Sequence, residues 1–183
     1  MPGLSEPEKG SVMNGKQLRG IVVGAIMVLL AFAGPARAQN QLIHGNAAEP
    51  QLARDWVSIN HMPFGLEGYL KLNMTTEVYL PLATFKDSSR VLTRVRTLFY
   101  AAPDVHVIGI SVWDGGTQIK SKTGSWTGNL NLYLKMPVGY QVQHGLSVSL
   151  TLQSGSSANV NERRFVLNSG AAEYKYLLVT AAE

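Results

Sequence analysis

Leu146-Ser147-Val148-Ser149-Leu150-Thr151-Leu152 alternates one aliphatic residue with one small hydroxyl residue over seven positions. Successive side chains of an extended strand point to opposite faces, so this run has a dry side and a wet side. Leu130-Asn131-Leu132-Tyr133-Leu134-Lys135-Met136 repeats the pattern, with Asn131, Tyr133 and Lys135 on the wet phase. Weaker alternation runs through Leu70, Leu72 and Met74, and through Val78, Leu80 and Leu82. Between Val91 and Phe99 it places Val91, Val95 and Phe99 on one side and Arg94 and Arg96 on the other. Residues 105–113 are apolar on both phases around Ile108 and Ile110, the pattern of a central strand covered on both faces.

Turn chemistry separates these runs. Asp114-Gly115-Gly116 supplies the positive φ that tight hairpins need, and Ala102-Pro103-Asp104, Thr123-Gly124-Ser125, Pro137-Val138-Gly139 and Ser154-Gly155-Ser156-Ser157 read as further turns or loops. From Gln39 onward no segment of a dozen residues carries a 3.6-residue period. Strands at this spacing without intervening helices imply a sandwich or a closed barrel. One-sided alternation selects the sandwich. The expectation is an all-β domain, an antiparallel two-sheet β-sandwich over residues 39–183.

The first 38 residues read differently. Lys16 and Arg19 precede an uncharged apolar run of 14 residues, Ile21 to Gly34, broken by Pro35. Ala36 and Ala38 are small residues at the two positions a signal peptidase reads, placing cleavage before Gln39. The run is shorter than the roughly 20 residues that span a bilayer comfortably. Residues 1–38 are therefore expected to be a cleavable helical signal peptide, with translation starting at Met1 or Met13. The expected location is secreted or periplasmic, with membrane contact only through the leader during export. An uncleaved leader would instead anchor the chain in the inner membrane.

The 183-residue chain has a formal net charge of +4 and no cysteine. From Gln39 onward it carries 12 basic and 10 acidic side chains, too even a balance to suggest nucleic-acid binding. The missing thiols exclude disulfides, thiolate catalysis, zinc ribbons and a lipid-modified cysteine.

Several short elements resemble those of an uncharacterised bacterial β-sandwich family, a domain of unknown function. They are Ile43-His44-Gly45-Asn46, Val105 to Gly115 (VHVIGISVWDG, beside the family's VHVYDG-like strand), and Thr127-Gly128-Asn129. His144-Gly145-Leu146-Ser147-Val148-Ser149, beside a GLGISV-like strand, and Ser169-Gly170-Ala171-Ala172-Glu173-Tyr174 complete the set. Leu80-Pro81-Leu82-Ala83 stands where the family has a proline-rich strand. The resemblance implies a β-sandwich and implies no activity.

Among residues that could carry chemistry, His44, His61, His106 and His144 show no ligand-like spacing, so no metal or cofactor is expected. In Gly124-Ser125-Trp126-Thr127-Gly128 the serine sits one place too early for a nucleophile elbow. Asp104 and Asp114 occupy turn positions, where a carboxylate bonds the turn's own backbone. Trp56 and Trp113 read as core. Trp126, in a Gly/Ser/Thr-rich segment, and Tyr133, on the polar phase of its strand, are candidates for stacking on a sugar or anchoring a protein. Arg94 and Arg96, two apart on one face, could grip an anionic ligand. The expected function is a noncatalytic binding or interaction module with a protein or glycan partner. Two alternatives are an extracytoplasmic hydrolase with a site of dispersed His, Asp and Ser residues, and a self-assembling surface or structural protein.

Overall fold

The computed structural model describes residues 39–86 and 88–177. The leader, with Ala36 and Ala38, lies outside them. Eleven strands follow one another: β1 (Gln39–His44), β2 (Glu49–Pro50), β3 (Trp56–Met62), β4 (Gly65–Leu70), β5 (Thr75–Pro81), β6 (Arg90–Ala101), β7 (Val105–Asp114), β8 (Thr117–Trp126), β9 (Gly128–Lys135), β10 (Leu146–Ser154) and β11 (Arg164–Tyr176). Short 3-10 turns supply the only helical geometry among the described residues.

The strands form two antiparallel sheets packed as a sandwich. The six-stranded sheet runs β3-β4-β11-β6-β9, with β1 pairing the C-terminal half of β11. The five-stranded sheet runs β2-β5-β10-β7-β8. Leu146, Val148, Leu150 and Leu152 are all buried, as their alternation requires, because β10 lies between β5 and β7 with one face on the core. Phe99 and Phe165 meet them from the opposing sheet, their ring centroids 6.0 Å apart. Each such side chain contributes about 1.5–3 kcal/mol by leaving water. Leu130 and Leu132 are only half-buried, because β9 is an edge strand with a core-facing side open at its margin.

Two β-bulges account for departures from simple alternation. At Ile108 the register of β7 shifts against both neighbours: Thr151 pairs Gly109 while Leu152 pairs Val107. An extra residue in one strand switches the phase. Val105 and Val107 face the core before the bulge, and Ile110 and Val112 face it after. The double-phase apolar pattern of 105–113 therefore marks a bulged strand with one dry face. Trp113 accordingly lies outside, on the outer face of the five-stranded sheet, where its Nε1–H donates to Ser149 Oγ at 3.1 Å. Trp56 is buried as expected, its ring resting on Gly68.

The second bulge is at Thr93, where Glu173 pairs Arg94 but Tyr174 pairs Leu92. Thr93 Oγ1 donates to the Glu173 carbonyl at 2.9 Å, holding the extra residue. Leu92 consequently turns inward and Val91 turns out, to the side opposite Val95 and Phe99.

Two further segments depart from expectation. Leu72 is exposed, because β4 ends at Leu70 and the chain turns at Asn73, which adopts φ 51°. Asparagine tolerates that left-handed region better than most residues. Thr123-Gly124-Ser125 lies within β8 rather than in a turn. Gly124 is small there because a Cβ would overlap the Trp126 ring. The reversal comes later, at Thr127 and Gly128 (φ 80°), where the chain passes from one sheet to the other.

Candidate functional site

Paired residues on antiparallel strands share a face, so the registers place side chains in rows across the outside of the six-stranded sheet. Leu42, Ala171, Arg96 and Tyr133 form one row over β1, β11, β6 and β9. Glu173, Arg94 and Lys135 form the next row toward one end. In the other direction come Ser169, Leu98 and Asn131, and then Glu67, Val166, Tyr100 and Asn129.

This face is neither uniformly charged nor apolar. Tyr133 is 54% exposed and Leu98 42%, so a ring and an aliphatic side chain stand in solvent among the charged groups. The Arg94 guanidinium stands 5.1 Å from the Tyr133 ring centroid. Glu173 reaches both arginines, with Oε2 3.7 Å from Arg94 Nε and Oε1 3.3 Å from Arg96 Nε. A similar grouping recurs on the same face: Arg164 Nε lies 2.6 Å from Glu67 Oε1 and its guanidinium 5.8 Å from the Tyr100 ring. Half-exposed ion pairs of this kind add at most about 1 kcal/mol to stability. Their effect here is to hold planar donors in place beside tyrosine rings.

Three depressions open on this face. One of about 350 Å³ is bordered by Arg94, Lys135, Glu173, Lys175 and the turn at Pro137 and Val138. A second, about 230 Å³, lies among Leu42, Arg96, Leu98 and Asn131. The third, about 340 Å³, lies between Phe64, Tyr100, Asn129 and Arg164.

The loop that follows the turn at Pro137 and Val138 is held by a buried carboxylate. Asp114 is buried and bonds the loop of residues 140–145 instead of its own hairpin turn. Its Oδ1 accepts the N–H groups of His144 and Gly145 at 2.7 and 3.0 Å. Its Oδ2 accepts the Gln143 N–H at 2.7 Å and the Tyr140 hydroxyl at 3.0 Å. Burial alone would push this carboxyl up, but the four hydrogen bonds outweigh it and hold the group below its ordinary value of 3.8. Burial and the bond to Asp114 together push the Tyr140 phenol up to about 12.

Of the candidates read from pattern alone, Arg94, Arg96 and Tyr133 thus fall on one surface. Trp126 does not join them. It lies at the end of β8 in the other sheet, pairs Val107 and packs half-buried against the margin of the core, with Lys122 Nζ 5.6 Å from its ring. Sequence pattern missed Glu173, Lys135 and Lys175 as members of the surface, although the polar phase of β9 already pointed to Lys135.

The residues of a dispersed hydrolytic site converge at one place: His106 Nδ1 lies 2.9 Å from Ser125 Oγ, on exposed surface. Asp114 is committed to the loop described above. Asp104 accepts the Ser157 N–H at 2.9 Å. Among the described residues no group of three or more His, Asp or Glu side chains is placed to hold a metal ion.

No protein-family model and no curated protein sequence matches the chain. Among solved structures, it is similar to the C-terminal CBM6 of LamC, a marine laminarinase from Zobellia galactanivorans, at 14% identity and TM-score 0.40, covering 73% of this chain and 98% of that one. It is also similar to a family 29 carbohydrate binding module from Piromyces equi, at 10% identity and TM-score 0.37, covering 74% and 90%. A third is the carbohydrate-binding module CBM36 in complex with calcium and xylotriose, at 10% identity and TM-score 0.39, covering 72% and 98%. Similarity at this level transfers neither ligand nor site.

Proposed function

We propose that the protein is an exported, noncatalytic module that binds a glycan on the outer face of its six-stranded sheet. The observation that carries this reading is the Tyr133 ring, half-exposed on the sheet and flanked by Arg94, Arg96 and Asn131. A sugar offers an apolar C–H face for an aromatic ring and a rim of hydroxyls for fixed hydrogen-bonding groups. The Arg–Glu pairs pre-set such groups, so less side-chain freedom is lost on binding. Glu173 and Glu67 each engage arginine, a role in holding donors rather than in acid–base chemistry. The test is a glycan array probed with the protein isolated after export. Saturable binding is expected, reduced at least about tenfold by Tyr133→Ala, a change of about 1.4 kcal/mol. Absence of saturable glycan binding, or binding indifferent to Tyr133, refutes the proposal.

A further inference from the structure

We infer that the ligand is an acidic glycan, whose carboxylate or sulfate groups are held by Arg94, Lys135 and Lys175 around the largest of the three depressions. This rests on the glycan-binding reading and names the substrate class of the same face. Charge is distributed unevenly over the domain. The outer face of the six-stranded sheet carries Arg94, Arg96, Lys135, Arg164 and Lys175 against Glu67 and Glu173, a net charge of +3. The described residues carry 12 basic and 8 acidic side chains, a net charge of +4, so this one face holds three of the four net positive charges. The excess is also concentrated within the face. Arg164 and Glu67 neutralise each other at 2.6 Å. Glu173 balances one of the two guanidinium charges that it bridges. Lys135 and Lys175 are exposed, and among the described residues neither is in an ion pair. The uncompensated charge of this face therefore gathers around the depression of about 350 Å³, next to the Tyr133 ring.

The bulge at Thr93 creates this arrangement. By turning Val91 outward it gives the depression an apolar floor, while Arg94 and Lys175 stand at its rim. A uniformly solvated sheet face would spread its cations and interleave them with carboxylates. An apolar floor, a ring and three cations with one shared carboxylate suit a sugar bearing a negative group.

The experiment compares dextran, polygalacturonate and dextran sulfate, with a single-stranded oligonucleotide as a polyanion lacking pyranose rings. The protein is the full chain isolated after export. Binding is expected to be at least about tenfold tighter to one of the two acidic polymers than to dextran. Which one it is separates carboxylate from sulfate recognition. The preference should shrink in about 0.5 M salt, where the screening length falls to a few ångström. Lys135→Gln with Lys175→Gln should abolish the preference while leaving the melting temperature unchanged, since both side chains are exposed. Equal binding to dextran and the acidic polymers, still dependent on Tyr133, overturns this inference and leaves the glycan reading standing. Equal binding to the oligonucleotide, independent of Tyr133, overturns both. An acid preference that survives the double lysine variant overturns the assignment to this depression.

Discussion

Replacing Asp114 with asparagine changes one oxygen to an amide nitrogen and little else in shape. The carboxylate accepts four hydrogen bonds, two at each oxygen, three of them from backbone N–H groups of residues 143–145. In either orientation the amide NH₂ must face at least one backbone donor, so at least one buried N–H loses its acceptor. A charge-assisted hydrogen bond is worth about 1.5–3 kcal/mol, and an orphaned buried donor costs about 1–3 kcal/mol. The expected loss is about 2–4 kcal/mol. For a domain of this size that lowers the melting temperature by about 6–12 °C. Tyr140→Phe, which removes a single bond, should cost about 1 kcal/mol. The pH dependence supplies a check of cause. Asp114 has a folded pKa below 3.8, so its contribution is fully present above that ordinary value and is lost as the pH falls below it. Thermal melts should therefore show the wild type and Asp114→Asn far apart at about pH 7 and converging below about pH 4. A difference under about 2 °C at neutral pH, or a gap that does not narrow at all as the pH falls below the ordinary carboxylate value, would contradict this account of the carboxylate.

Other outcomes follow from the same structure. Gly45→Ala should destabilise the fold by more than about 2 kcal/mol in denaturant melts, because a Cβ would overlap the Leu167 carbonyl oxygen and neither backbone can yield alone. Tyr79, hydrogen-bonded to Glu77 Oε2 at 2.6 Å, and Tyr140 both have phenols raised to about 12. Their stabilisation is complete below pH 10 and is lost as the pH climbs through about 12. Burial also raises the Tyr174 phenol, so ultraviolet titration of the folded protein should show three late-ionising tyrosines among the described residues, and Tyr140→Phe should remove one. In the binding assay, Trp126→Phe should leave glycan capture within about twofold, since Trp126 lies in the other sheet.

The strands are legible in the sequence wherever one register runs unbroken. Ser147–Gln153 pairs continuously with β5, and the alternation there reports the buried face directly. Legibility fails at bulges. Ile108 and Thr93 each add one residue and reverse the phase, which in sequence looks like a doubly covered strand and a misplaced Val91. The same holds for the site. Arg94, Arg96 and Tyr133 are recognisable as wet-phase residues of their own strands, and pairing of β6 with β9 brings them together. Glu173 is not recognisable, because only the long-range pairing of β11 with β6 shows that its carboxylate joins the two arginines. Trp126 misleads for the opposite reason: an edge strand rich in serine and threonine has the composition of a loop.

The position of β11 has a consequence for how the chain acquires its shape. It alone joins β1, β4 and β6, so the six-stranded sheet exists only as separate pieces until residues 164–176 arrive. Pairing of Leu42 with Ala171 closes a loop of well over a hundred residues, a slow event in entropic terms. A polypeptide wired this way stays open while it is being made, which suits the proposed export: threading through a narrow translocation channel before collapse on the far side.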